Sequence, residues 1–174
     1  MWLKGVKGVV LGLFLLSTTP RIVLADSAYV LPYPGLMPGN KLYKIEQAFD
    51  QLYRPWVFGN FSRHKYELGL ADKKLVEAKV LFEYRQYLLA VRALTDSDRH
   101  FQKAVYYLDQ AEKEGKDISQ KTTNLQAAAG KHREVLQRLK EQLPEEFIWR
   151  PEKGEATELN LKLILEEAMR IREI

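Results

Sequence analysis

Few side chains in this 174-residue sequence are of a type that does chemistry on its own. Imidazole comes only from His64, His100 and His132, and cysteine is absent. Asp96, Asp98 and His100 lie close enough together to be weighed as metal ligands, and Glu67 with His64 forms a second candidate pair. A di-iron site in a helical bundle takes several glutamates plus two Glu-x-x-His units. No Glu-x-x-His occurs here, so no metal site and no cofactor are expected. Glu145-Glu146 and Glu166-Glu167 are neighbours in sequence. General acid–base work needs carboxylates with different surroundings inside a cleft, which adjacency alone does not supply. The serines Ser17, Ser27, Ser62, Ser97 and Ser119 lie in no nucleophile-elbow motif, and the scattered glycines make no phosphate-binding loop. No catalytic residue is assigned, and a non-enzymatic protein is expected.

The elements that carry these residues follow from apolar spacing. Hydrophobic residues make up 46% of the chain, enough for one modest core. No proline falls between Pro55 and Pro144, which leaves that stretch free to be helical. Phe61, His64, Leu68, Ala71, Leu75, Ala78 and Phe82 follow steps of three and four, the spacing of one helix face. A second seam runs through Tyr87, Val91, Leu94, Asp98, Phe101, Val105 and Leu108. The step of five between Phe82 and Tyr87 breaks the phase, which predicts a tight turn near Glu83-Tyr84-Arg85 and hence a helical hairpin. No glycine or proline marks that turn, so a single bent helix is the alternative. Gly115 suits the C′ position of the second helix. Asp117 and Gln120 make a capping-box pattern for a third, whose seam is Ile118, Thr122, Leu125, Ala129, His132, Leu136, Leu139 and Leu143. Ala127-Ala128-Ala129-Gly130 would let a neighbouring backbone come close. His64 and His132 therefore lie on seams, where a core histidine bonded to a neighbour is the ordinary case.

The flanks differ in character. Lys4 and Lys7 precede a short apolar run from Val9 to Leu16, and Val23-Leu24-Ala25 precedes Asp26. This is the pattern of a signal peptide over 1–25, with cleavage between Ala25 and Asp26. The run is shorter than the ~20 apolar residues of a spanning helix. Arg21 near the cut keeps an uncleaved N-terminal membrane anchor as the alternative. Residues 26–40 form a Pro/Gly-rich extended strap, with Asn40 as N-cap of a short helix over about 41–53. The helical bundle domain is expected over 41–143, a linker over 144–156, and an amphipathic helix over 157–174 burying Leu161, Ile164, Leu165, Ala168 and Ile171. The fold class is all-α, a long helical hairpin or bundle with the strap at its N-terminal side.

Two stretches resemble a known pattern. Leu31-Pro32-Tyr33-Pro34-Gly35-Leu36-Met37-Pro38-Gly39, leading to Leu42-Tyr43, is similar to the opening of a bacterial domain-of-unknown-function family, number 5667. Tyr66-Glu67-Leu68-Gly69-Leu70-Ala71, with Lys74-Leu75 and Glu77-Ala78, resembles that family's helical signature. The resemblance covers about residues 30–115 and excludes the region after Asp117. It implies an exported or membrane-anchored location, and no reaction.

Charge narrows the partners. The formal charge is +4, yet Lys4, Lys7 and Arg21 all lie in the first 25 residues, where no acid does; the rest carries 24 basic against 23 acidic residues, a net +1. Non-specific nucleic-acid binding needs a basic surplus that such a chain lacks. The last helix, with Lys162, Arg170 and Arg172 against Glu158, Glu166, Glu167 and Glu173, is net −1, the wrong sign for an anionic lipid surface. Membrane contact is thus expected only through an uncleaved signal segment. Aromatic side chains are the remaining binding candidates. Tyr84, Tyr87, Tyr106, Trp56 and Trp149 are read either as core packing or as a partly exposed surface for a partner or ligand. The expected function is an exported helical module that acts as scaffold or binds a protein or cell-envelope component. The alternative is a protein that binds, or hydrolyses, a cell-wall glycan or peptide in a cleft between strap and hairpin.

Overall fold

The computed structural model describes residues 29–33, 35 and 57–174. The Ala25–Asp26 junction, Trp56 and the helix expected over 41–53 lie outside the described residues. Helix α1 (Asn60–Glu83) and helix α2 (Tyr87–Lys113) form the hairpin. Helix α3 (Ser119–Gln142), strands β1 (Glu146–Trp149) and β2 (Thr157–Asn160), and helix α4 (Leu161–Arg170) follow.

The phase break at Phe82–Tyr87 is a true chain reversal. Gln86 N–H donates to the Leu81 carbonyl and Arg85 N–H to that of Phe82, the two bonds of a Schellman cap. Such a cap requires a left-handed residue at C′, and Arg85 supplies it at φ 59°. Glycine normally fills that position, which is why composition leaves the turn unmarked. The second reversal repeats the motif with its usual residue. Gly115 sits at φ 77°, its N–H on the Glu112 carbonyl and that of Lys116 on the Ala111 carbonyl.

The α1 seam buries as spaced, while Val91, Asp98 and Val105 of the α2 seam are only half-buried. From Leu68 to Phe82 the α1 seam is inaccessible, and α2 meets it with small side chains at Ala90, Ala93, Ser97, Ala104 and Ala111. Small residues let the two helices pack closely along their lengths. Two apolar clusters result. One joins Leu75, Phe82, Tyr87 and Leu94 to Leu136, Leu139, Leu161 and Leu165; the other joins Leu68, Phe101, Ala104 and Leu108 to Leu125 and Ala129. Full burial of each Leu or Phe is worth roughly 1.5–3 kcal/mol, so these clusters dominate stability. In the described part of the strap, Leu31 packs against the first cluster and Tyr29 against the second.

Three local expectations are corrected. At the start of α3, Asp117 accepts from the Ser119 backbone and hydroxyl instead of forming a box with Gln120. Ala128 and Ala129 are buried, but a Cβ at Gly130 would meet nothing within 4 Å, so no backbone approaches there. The segment expected as a linker over 144–156 contains β1, and Thr157–Asn160 pairs with it as an antiparallel strand. Helix α4 consequently begins at Leu161, where Asn160 Oδ1 caps the Leu163 N–H at 2.9 Å. Phe147 draws the hairpin onto the bundle by packing edge-on to Tyr87, ring centroids 4.6 Å apart. The apolar face expected of the last helix faces the core, with Leu161, Leu165 and Ala168 fully buried.

Candidate functional site

Between the two apolar clusters lies a polar layer made from one or two residues of each element. Asp72 comes from α1, Ser97 and Asp98 from α2, His132 from α3, Arg172 from the turn after α4, and Tyr29 from the strap. Arg172 is completely buried. Its Nε donates to His132 Nδ1 at 2.9 Å, its Nη1 to Asp98 Oδ1 and the Ala168 carbonyl at 2.6 Å each, and its Nη2 to Ser97 Oγ at 2.9 Å. The guanidinium also lies over the Phe101 ring, 5.3 Å from its centroid.

The Arg172 contact fixes the tautomer of His132. A nitrogen that accepts carries no proton, so the proton sits on Nε2, which donates to Asp72 Oδ1 at 2.7 Å. The other Asp72 oxygen accepts from the Tyr29 hydroxyl at 2.6 Å. Ser97 completes the layer by donating to the Ala71 carbonyl at 2.8 Å.

Electrostatics agree with a neutral imidazole. Burial pushes the His132 pKa below its ordinary value and outweighs the Asp72 hydrogen bond, and the Arg172 charge acts in the same direction as burial. Burial likewise raises the Asp98 carboxyl, with Arg172 pulling against it, and raises the Tyr29 hydroxyl, which the Asp72 carboxylate reinforces. His64 is a separate case. Its Nδ1–H donates to the Ala104 carbonyl at 2.9 Å, and burial holds its pKa below the ordinary imidazole value.

The candidate ligands read from sequence do not converge. Asp96 pairs with Arg99, Asp98 with Arg172, and His100 with Glu67 at 2.5 Å. Among the described residues no three of the types His, Cys, Asp and Glu are grouped to hold a metal ion. The neighbouring glutamates part company too: Glu145 faces Lys162, and Glu166 pairs with Lys140 of α3 at 2.6 Å.

The aromatic candidates are also dispersed. Tyr87 is a core residue between Phe82 and Phe147. Tyr84 is exposed at the first turn, and Tyr106, on α2 some 28 Å of helix rise beyond Tyr87, is exposed beside Tyr107. Trp149 is 40% exposed on the β-hairpin, with Ile148 next to it at 48%. On the outer side of α1, Val57, Phe58, Lys65, Tyr66 and Leu70 line a groove of about 680 Å³.

Asp72, Ser97, Arg172 and Tyr29 were not singled out by spacing. The signal lay beside them, since Asp98 and His132 occupy apolar seams, and a seam that carries a polar residue needs partners from facing helices.

The model of a family described as a domain of unknown function, DUF5667, matches residues 35–146. The chain belongs to this family. The DUF5667 match starts after Leu31-Pro32-Tyr33-Pro34 and runs through α3 to the first residue of β1, so the limits expected from the strap and first hairpin, about 30–115, were too early at both ends. Asp72, Ser97, Asp98 and His132 fall inside DUF5667, whereas Tyr29, β2, α4 and Arg172 lie outside it. No curated protein and no solved structure gives a match to the chain.

Proposed function

We propose that this DUF5667 chain is an exported, non-enzymatic helical module that binds a protein or cell-envelope component. One observation carries the reading: the groups with reactive potential are engaged with one another, while apolar side chains on the hairpin are left outside. His132 has both ring nitrogens hydrogen-bonded within the bundle, and His64 and His100 are each held through Nδ1. A general base needs a free nitrogen aimed at a substrate bound in a cleft, and no histidine lines the groove on α1. Ile148 and Trp149 point a different way, since half-exposed aromatic and branched side chains are typical anchors of protein interfaces.

Export rests on the charged start, apolar run and small residues of 1–25. No helix among the described residues is long and apolar enough to cross a membrane. Expression in a bacterial host tests the reading, with mass spectrometry of the chain and in-cell cross-linking. A chain outside the cytoplasm that begins at Asp26 and cross-links to one envelope protein is expected. Retention in the cytoplasm, or a measured turnover with no partner, would overturn it.

A further inference from the structure

The β-hairpin has a free edge whose orientation can be worked out. Leu161 N–H donates to the Glu145 carbonyl at 2.8 Å, and these two residues are opposite one another by extension of the Glu146–Asn160 register. Hydrogen-bonded and non-bonded pairs alternate along an antiparallel ladder. Phe147 and Trp149 therefore direct their N–H and C=O groups to β2, and Glu146 and Ile148 direct theirs outward. Among the described residues no backbone hydrogen bond from outside the hairpin meets these outward groups.

The side chains along this edge define what would fit. Phe147 and Leu159 share the face that packs on the bundle, and Trp149 extends that face beyond the core. Glu146, Ile148 and Glu158 share the outer, exposed face, and neither glutamate has an ion-pair partner among the described residues. Across residues 145–160 there are five carboxylates and two basic side chains, a net −3, whereas the rest of the chain carries 25 basic against 18 acidic residues, a net +7. Exposed edges are commonly guarded by lysine or covered by another element. This one carries neither on β1. We propose that the free edge of β1 takes up an extended, basic segment of a partner protein as a third strand. Main-chain bonds to Glu146 and Ile148 give affinity. Lysine or arginine on one face meets Glu146, and apolar residues on the other meet Trp149. The proposal rests on the partner-binding reading above and names the surface and the chemistry.

The test uses the full chain and a labelled heptapeptide alternating lysine with valine, followed by fluorescence anisotropy. Saturable binding is expected, weakened at least about tenfold by Glu146→Lys with Glu158→Lys and reduced further by added salt. Ile148→Pro removes one outward N–H at an edge position where proline is tolerated, and it should cost at least about tenfold while the helical spectrum is retained. A peptide N-methylated at every internal residue has no donors on either edge, so it cannot form the ladder, and it needs no change in the protein. Equal binding of the N-methylated peptide, equal binding of a glutamate–valine peptide, or no binding would overturn the proposal. If the envelope cross-link persists in Ile148→Pro, the edge is refuted while the module reading stands; loss of every cross-link in the unaltered chain refutes the module.

Discussion

Arg172 Nε donates to His132 Nδ1 over 2.9 Å, and neither side chain is reached by solvent. A cation thus uses a neutral imidazole as its acceptor, and the same guanidinium reaches α2 through Asp98 and Ser97. The end of the chain is thereby held to two helices of the DUF5667 bundle, and through Asp72 to a third and to the strap.

Removing Arg172 would strand this layer. Arg172→Ala leaves the half-buried Asp98 without its counter-charge and the buried His132 and Ser97 without their donor, a loss of about 3 kcal/mol by analogy with broken buried pairs. Urea unfolding followed by circular dichroism measures it. A loss below about 1 kcal/mol would mean that the C-terminal turn contributes little.

Stability should fall on mild acidification. His132 and His64 are held below their ordinary pKa in the fold, whereas in the unfolded chain they protonate near pH 6.5. Below that pH the unfolded state binds more protons, so stability decreases as pH falls through the histidine range. The slope approaches at most about 1.4 kcal/mol per pH unit for each histidine. Asp98, raised by burial, acts in the opposite sense at lower pH, nearer the carboxylate range. Chemical denaturation between pH 7.5 and pH 5 on the parent and on His132→Asn checks the sign. A flat parent profile contradicts it.

Arg85 holds a left-handed conformation that glycine adopts without steric cost. Arg85→Gly should raise stability by roughly 0.5–1 kcal/mol, net of the extra freedom glycine gives the unfolded chain. Thermal melting measures it. A destabilisation would imply that the Arg85 side chain, exposed at the turn, makes contacts worth more than its backbone strain.

Gly130 lies inside α3 with open space where its Cβ would be. Gly130→Ala should stabilise by about 1 kcal/mol through helix propensity alone. An unfolding midpoint that does not rise would point to a role for the bare backbone at that position.

Much of the bundle could be read before the structure because its periodicity is long and strong. From Leu68 to Phe82 and from Leu125 to Leu139 the spaced residues are the buried ones. Boundaries set by backbone conformation were harder. Arg85 takes a glycine's position without a glycine's signal, and Thr157–Asn160 carries no alternating apolar pattern to mark it as a strand. It pairs because Phe147 and Leu159 dock on the first core cluster and Asn160 starts the helix. The polar layer was half legible. Asp98 and His132 stood out as titratable residues on apolar seams, but Arg172 reaches them from 74 and 40 residues away in sequence, Tyr29 reaches Asp72 from 43 residues away, and local spacing carries no information about such contacts. Of the tyrosines read either as core or as partly exposed surface, Tyr87 sits on the seam itself and is consumed by the core, whereas Tyr84 and Tyr106 are exposed.

The protonation state of His132 offers the most direct test, because it separates a structural acceptor from an imidazole available for chemistry. Long-range proton–nitrogen correlation spectra of the labelled protein should show Nε2 protonated and Nδ1 bare, unchanged from pH 7.5 to pH 6. A His132 that titrates in that interval with the fold intact, or that carries its proton on Nδ1, would contradict the buried lock to Arg172 and reopen the site as a reactive one.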